Sequence, residues 1–308
     1  MENVNLSYIL TTRNKLPFLT YGLNRLIQNL QSDEEIIVVD AGSTDGTVDF
    51  LKNLYKEGKI NQFVSESDNG EGHGFNKGFL LANGILLKVI TDDDFFNFKA
   101  LQECKTIMLD NNHLDVMIGN ICSTQIEDFD QIYCETKVVD NFQNYIKTGT
   151  VFPFTGLSLM IRKNSIALTG LFSTNVTCVD TEFSLRITEI GVKIAWSNAI
   201  ISIRIENVQS NLITIGKKKF LVELDRFLYF YDSKYRNQKN NLFIAIIRKF
   251  KSIILSLPNI KNLFKSSTIK AEQINLYSNS EHVERINKKC EDYVSNINKE
   301  KTNFIIPS

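Results

Sequence analysis

Four consecutive branched apolar residues, Ile36-Ile37-Val38-Val39, run into Asp40 and then into the turn Gly42-Ser43-Thr44-Asp45-Gly46. A strand without alternating polar residues is buried on both faces, as in a parallel sheet covered by helices on either side. Its neighbours agree. Leu6–Thr11 is a short apolar run, and Lys15–Gln31 carries Leu19, Leu23, Leu26, Ile27 and Leu30 at helical spacing. Pro17 falls in the first turn, where it is tolerated. The pattern then predicts a helix with Val48, Leu51 and Leu54 apolar, a strand over Lys59–Ser65, a helix over Phe75–Asn83, a strand over Ile85–Thr91 and a helix over Ala100–Leu109. Short strands alternating with helices describe an α/β, mostly parallel, doubly wound sheet. Further strands are expected at Val116–Ile121, Ile132–Val139, Leu157–Ile161, Val192–Trp196 and Ile200–Glu206. A helix over Asp180–Glu189 is closed by Gly191.

From about Gly216 the strand signals vanish and helical periodicity dominates, so the chain divides into 1–215 and a helical C-terminal region, 216–308. Between Arg236 and Lys270 there are eight basic residues and no acidic one. Within Leu242–Leu257 the apolar residues recur at three- and four-residue steps. Such a stripe either lies in a membrane interface, its lysines against anionic lipid, or packs on the catalytic domain or a second copy of the chain as a homo-oligomer contact. Globally, 35 basic residues balance 35 acidic ones, which points away from nucleic acid. The five cysteines are odd in number and without a CxxC pair, so neither a zinc site nor a disulfide framework is expected, and a reducing cytoplasm is. No stretch reaches the roughly 18–20 apolar residues of a membrane-spanning helix.

In doubly wound sheets, ligands bind beyond the C-terminal ends of the strands. The polar clusters fall there: Thr11-Thr12-Arg13-Asn14, Asp40, and Thr91-Asp92-Asp93-Asp94. Three adjacent carboxylates repel one another. They make either a solvated acidic turn or a site for a hard divalent cation shared with substrate phosphates. Asp40 is either a turn former or an acceptor for a base or sugar edge. Asp45 is most simply a cap for the following helix. Asp68-Asn69-Gly70-Glu71-Gly72-His73-Gly74 reads as a glycine-rich loop able to offer backbone N–H groups to a phosphate, with His73 near phosphate or sugar. Asp180 and Glu182 head a helix, where they either complement its dipole or aim a general base into the cleft.

Taken in order over roughly residues 5–206, these elements resemble the family 2 glycosyltransferases, which have a GT-A fold. Ile36 through Thr47 looks like the family's strand-Asp-x-Gly-Ser-Thr-Asp-Gly-Thr signature, the most specific match. Thr-Thr-Arg-Asn after the first strand looks like its Pro-Thr-Tyr-Asn. Asp68-Asn69-Gly70 through Phe75-Asn76-Lys77-Gly78, with Ala82-Asn83-Gly84, is similar to its Asp-x-Gly…Asn-Lys-Gly…Ala-x-Gly block. Asp92-Asp93-Asp94 stands at its Asp-x-Asp motif, and Gly156–Arg162 and Val179-Asp180-Thr181-Glu182 at its acceptor loop and Glu-Asp motif. The resemblance implies that Thr11, Asp40, Asp68, His73 and Asp92 hold the nucleotide sugar and that Asp93 and Asp94 hold Mn²⁺ or Mg²⁺. Asp180 is then the base of an inverting transfer to a glycan or lipid-linked acceptor in surface polysaccharide synthesis. Such an acceptor fits a cytoplasmic enzyme of this family; the basic stripe within 236–270, where it meets lipid rather than protein, would make the enzyme peripheral at the inner face of the membrane. The chain departs from the pattern in three places. His73 stands where Asp is common, Val179 replaces a Glu, and Arg204-Ile205-Glu206-Asn207 occupies a region where some members carry a His.

Two other functions fit parts of the pattern: a nucleotidyltransferase on a similar sheet, and a non-catalytic sugar-nucleotide-binding protein. The first usually carries a glycine-rich loop straight after the first strand, and Thr11–Lys15 has no glycine. The aspartate cluster together with Asp180 argues against the second.

Overall fold

A computed structural model of the chain describes residues 4–135, 137–207, 216–239, 279–297 and 302–307. The segment Leu242–Leu257, and most of 236–270, lie outside the described residues. Strands β1 (Leu6–Thr12), β2 (Glu34–Asp40), β3 (Gln62–Ser65) and β4 (Leu86–Thr91) form the parallel part of one sheet. The sheet continues through β8 (Met160–Arg162), β6 (Val116–Gln125) and β9 (Ile194–Glu206) to β10 (Phe304–Ile305), in the order β10-β9-β6-β8-β4-β1-β2-β3. β8 is antiparallel to both β4 and β6, whereas β6 and β9 are parallel. Two short strands lie off this path: β5 (Phe95–Phe96) on β9 and β7 (Ile132–Cys134) on β6.

The strand read from Ile36–Val39 is buried at every position of β2, as its composition requires. Its cover comes from α1 (Leu16–Asn29), α2 (Thr47–Lys56) and α4 (Phe98–Asp110) on one face and from α3 (Glu71–Leu81) and α7 (Val179–Ile190) on the other. Asn97 caps α4 by accepting the Ala100 N–H, and Gly191 ends α7 at φ 80°.

Three sequence expectations change. Glu71–Gly74, read as a loop, forms the first turn of α3. Its glycines serve close approach: a Cβ at Gly74 would lie 3.0 Å from Thr11 Cγ2, and one at Gly72 would lie 3.0 Å from Val179 Cγ1. Ile132–Val139 is not one strand, because Val138 begins the buried face that Phe142 continues in helix α5 (Lys137–Thr148). The two strands read at Val192–Trp196 and Ile200–Glu206 are one strand, β9, which begins at Ile194 and has an irregularity opposite Gly119–Ile121.

The cysteine expectation also changes. Cys122 and Cys134 face each other across β6 and β7 and form a disulfide. A cross-strand pairing depends on register and leaves no CxxC signature. Cys104, Cys178 and Cys290 are free and buried.

The described parts of 216–308 pack on the sheet domain. Helix α8 (Lys217–Tyr231) lies on α7, with Phe227 buried against Cys178 and Leu185. Helix α9 (Ser233–Lys239) follows it. Helix α10 (Ser280–Ile297) buries Val283, Ile286, Cys290 and Val294 against Phe18, Phe95 and the far half of β9. Strand β10 was not foreseen in a region read as helical; it extends the sheet beside β9. Among the described residues, no helix is long and apolar enough to cross a membrane.

Candidate active site

The C-terminal ends of β1, β2 and β4 lie side by side, with Thr11 opposite Val39 and Thr91, and Thr12 opposite Asp40. The loop after β1 is tied to the turn after β2. Asn14, at φ 53°, accepts the Thr44 N–H at 2.8 Å and gives its own N–H to Ser43 Oγ at 2.8 Å. Asp45 accepts the Leu16 N–H at 3.0 Å, so it caps α1, and it also holds the Thr47 hydroxyl at the start of α2 at 2.7 Å. Lys15, between these two anchors, points at the aspartate cluster.

Its ammonium lies 2.6 Å from Asp93 Oδ2 and 3.3 Å from Asp92 Oδ1. Asn207, just past β9, donates to the same Asp93 oxygen at 2.9 Å. The segment that departs from the family's His pattern therefore still reaches the site. Burial would push the Asp93 carboxyl up, but the Lys15 ammonium and the hydrogen bonds outweigh it and hold the group below its ordinary range. Burial pushes Asp92 up to about 6, opposed by Lys15 and reinforced by Asp93. Asp94 is different. Its oxygens accept the Thr91 hydroxyl at 2.6 Å and the Ile205 N–H at 2.8 Å, so it fastens β4 to β9. Burial, with Asp93 adding repulsion, pushes Asp94 up to about 7.

Asp40 is fully buried, and its carboxylate accepts from Gly42 N, Ser43 N, Ser43 Oγ and Ser65 Oγ. In this structure it shapes the turn after β2. Asp68 accepts the Gly70 N–H at 2.9 Å and has Oδ2 3.4 Å from where a Gly74 Cβ would stand, beside Thr11. His73 Nδ1 accepts the Asn69 N–H at 3.2 Å, which closes the turn entering α3.

Asp180 occupies the first turn of α7, its Cβ 3.8 Å from the position a Gly156 Cβ would take. Gly156–Ser158 form a single 3₁₀ turn. Glu182, the other candidate base, is buried and held by Arg186 at 2.9 Å and by the Tyr231 hydroxyl at 2.6 Å. Its carboxylate serves the α7–α8 contact. Arg204 approaches from β9, with Thr155 Oγ1 at 3.2 Å and Glu135 at 3.8 Å.

Glu71, which heads α3, is the acid that sequence reasoning left out. Burial and then the Asp180 charge push its carboxyl up to about 7, while Lys15 opposes them. The field of one lysine thus couples Glu71 to Asp92 and Asp93, and that of Asp180 reaches Glu71 from α7. The signals for the omitted residues were slight. Lys15 immediately follows a polar strand end, and Glu71 is an acid set among glycines at a helix start.

The family model described as Glycosyl transferase family 2 matches residues 7–168, which span β1 through α6 (Ile166–Thr169). The chain belongs to this family. Among curated relatives, an uncharacterized glycosyltransferase of Nostoc sp. is 29% identical over 125 residues, covering 38% of this chain and 38% of that protein. An uncharacterized glycosyltransferase of Haemophilus influenzae is 21% identical over 81% of this chain and 96% of its own length. Among solved structures, S. aureus TarS 1–349 in complex with UDP-GlcNAc matches with a TM-score of 0.58 and 17% identity, over 92% of this chain and 82% of that one. The mannosyltransferase PcManGT from Pyrobaculum calidifontis, in complex with GDP-Man and Mn²⁺, matches with a TM-score of 0.53 and 15% identity, over 92% and 87%. At these identities the structural matches show the fold, and it is the GT-A fold expected from the sequence. The family match makes this chain a family 2 glycosyltransferase, and the strand ends described above are its candidate site.

Proposed function

We propose that this glycosyltransferase moves a sugar from a UDP-sugar, with inversion, onto a hydroxyl of a glycan or lipid-linked acceptor in surface polysaccharide synthesis. One observation carries the reading: Asp92 and Asp93 turn oxygens toward a single cationic point at the end of β4, and Asp180 heads α7 beside the Gly156 turn. UDP is preferred because TarS binds UDP and UDP-GlcNAc on the same fold.

The site's donors fit a hard divalent cation, Mn²⁺ or Mg²⁺. Their chemistry is carboxylate oxygen, and the Lys15 ammonium, which both aspartates share, marks where positive charge is favoured. Among the described residues no three acidic, Cys or His side chains converge into a ready cluster. That suits an ion held by one or two carboxylates and completed by substrate phosphates. Asp93 and Asp92 would hold it; Asp94, whose oxygens are given to Thr91 and Ile205, is the poorer candidate. When bound, the ion would neutralise charge on the departing diphosphate.

The protein's own groups do the rest. Thr11, Asp68 and His73 line the nucleotide-sugar side where α3 meets β1, and Asp40 sets the turn beneath it. Asp180 takes the proton from the acceptor hydroxyl as that oxygen bonds to the anomeric carbon. The bond from that carbon to the diphosphate oxygen breaks, and UDP leaves with the electron pair. One carboxylate base without a second nucleophile gives inversion, by the geometric logic of glycosidases. Contact with the membrane through 236–270 is proposed from the sequence stripe alone, and sedimentation with anionic vesicles checks it.

The experiment is turnover of a nucleotide-sugar panel with Mn²⁺ or EDTA. Asp180→Asn is expected to keep UDP affinity and lose transfer by about 10²–10⁴-fold. Asp93→Ala is expected to lose Mn²⁺-dependent UDP binding. Normal turnover in Asp180→Asn, with an inactive Glu182→Gln, would move the base to Glu182.

A further inference from the structure

Lys15 is placed with unusual care for a side chain on a loop. Asn14 and Leu16 on either side are both tied to the Gly42–Asp45 turn, by the Thr44 and Ser43 bonds and by Asp45 respectively. The four-carbon stem of Lys15 extends from between these anchors. Its ammonium reaches two carboxylates of adjacent residues, at 2.6 and 3.3 Å, and its side chain remains 18% exposed. Other acids act on the same region electrostatically: Asp94 beside Asp93 in the turn after β4, and Glu71 at the head of α3, which also feels Asp180 of α7. Among the described residues, Lys15 acts on Asp92, and Arg204 acts on the Asp94 side. Lys15 presents a charge of +1 to the same two carboxylates that the proposed function assigns to a divalent ion.

We propose that Lys15 is a built-in counter-ion that occupies the metal position until the donor arrives. It holds the Asp92 and Asp93 carboxylates pre-oriented around one point, and it makes entry of the divalent ion conditional on the nucleotide diphosphate. A diphosphate at the end of β1 offers the ammonium a competing anion within reach of its flexible stem. Transfer of Lys15 to that anion frees the two carboxylates for the ion. Metal and nucleotide then enter as a coupled pair, and the empty enzyme does not collect divalent ions from its surroundings. The inference rests on the proposed reading of Asp92 and Asp93 as ligands, and the test separates the two.

The measurement is free Mn²⁺ by electron paramagnetic resonance, titrated against the full chain with and without UDP. The proteins are wild type, Lys15→Met and Lys15→Arg. Wild type is expected to bind Mn²⁺ weakly alone and more tightly with UDP. Lys15→Met, which keeps the stem and loses the charge, is expected to bind Mn²⁺ without nucleotide at least about fivefold more tightly than wild type, the lower end of measured site–site couplings. Lys15→Arg, still cationic, should remain weak without UDP, and its circular dichroism should match that of wild type. If wild type with UDP binds Mn²⁺ but Lys15→Met alone binds no tighter than wild type alone, the counter-ion role is overturned and the ligand assignment stands. If Mn²⁺ binds to none of the three proteins under any condition, the ligand assignment falls and takes this inference with it.

Discussion

Lys88 shows how far a single residue can depart from its usual behaviour. It lies at 0% exposure in β4, where its Nζ donates to the Val89 carbonyl at 2.8 Å and the Leu157 carbonyl at 2.9 Å. Burial pushes its amine down to about 7 from an ordinary 10.5. A neutral amine keeps two N–H donors, and two carbonyls are there to receive them. The consequence for stability has a definite sign. Between about pH 7 and 10.5 the unfolded chain holds a proton on Lys88 that the folded chain lacks, so this residue makes stability rise with pH across that window. The limiting slope is about 1.4 kcal/mol per pH unit. Lys88→Met removes the linkage. Urea unfolding at pH 7, 8 and 9 should show wild type gaining on Lys88→Met at each step. A flat difference between them would mean that Lys88 stays charged in the fold. Because the Leu157 carbonyl belongs to the turn beside Asp180, the same variant should also loosen that turn. None of this was legible from the sequence, where Lys88 merely interrupts the apolar run Ile85–Ile90. A lysine in a strand reads as an edge or exposed position, and only the topology shows that β4 is central.

At the scale of elements, the question is what keeps α7 aimed. Its N-terminal N–H groups have no partners within the helix. Asp180 Oδ1 accepts the Thr181 N–H at 2.7 Å, and Glu223 of α8 holds the two residues that enter the helix, accepting Thr177 N at 3.1 Å, Thr177 Oγ1 at 2.8 Å and the N-cap Cys178 N at 3.0 Å. Burial opposes ionisation of Glu223, but these hydrogen bonds outweigh it and hold the carboxyl below its ordinary range. Tyr231, at the other end of α8, grips Glu182 one turn along. Helix α8 is therefore a splint on the helix that carries Asp180. Glu223→Ala should cost about 0.5–2 kcal/mol, the loss of an N-terminal cap. It should also lower kcat by up to about 10²-fold through misplacement of Asp180, the proposed base. UDP affinity should hold, because the proposed nucleotide contacts come from β1, β2 and α3. Glu223→Gln, which keeps an acceptor oxygen, should recover most of kcat. Equal losses of kcat and UDP affinity in Glu223→Ala would argue for general loosening instead. The sequence made the strand ends and their clusters legible, because apolar runs ending in Thr11, Asp40 and Asp92 are local patterns. It could not show Glu223 reaching back 46 residues to Thr177, or Asn207 reaching 114 to Asp93. Nothing in local spacing encodes such pairings.

For the whole molecule, the sequence suggested a sheet domain with a helical appendage, and the chain's last described elements bear on how the two are coupled. Helix α10 contributes Val283, Ile286, Cys290 and Val294 to a core shared with Phe95 of β5 and with Ile200, Ile203 and Ile205 of β9, the strand whose Ile205 N–H Asp94 holds. Beyond it, β10 pairs Ile305 with Trp196 and Phe304 with Ser197, and Asn303 exchanges hydrogen bonds with Asn198. A segment that extends the central sheet should unfold with it. Ile286, at 0% exposure, offers a clean probe, and Trp196, the only tryptophan, reports from β9. Truncating a buried isoleucine to alanine costs about 2–5 kcal/mol. If the C-terminal elements and the sheet form one cooperative unit, Ile286→Ala should lower the urea midpoint of Trp196 fluorescence and of far-UV circular dichroism together. An independent appendage predicts otherwise: dichroism would show an early, separate loss of helix while the Trp196 transition stayed where it is in wild type. The shared core makes the first outcome the expected one. It also predicts that Ile286→Ala weakens Mn²⁺-dependent UDP binding in step with the lost stability, since β9 carries both the Ile205 N–H that holds Asp94 and the chain that delivers Asn207 to Asp93.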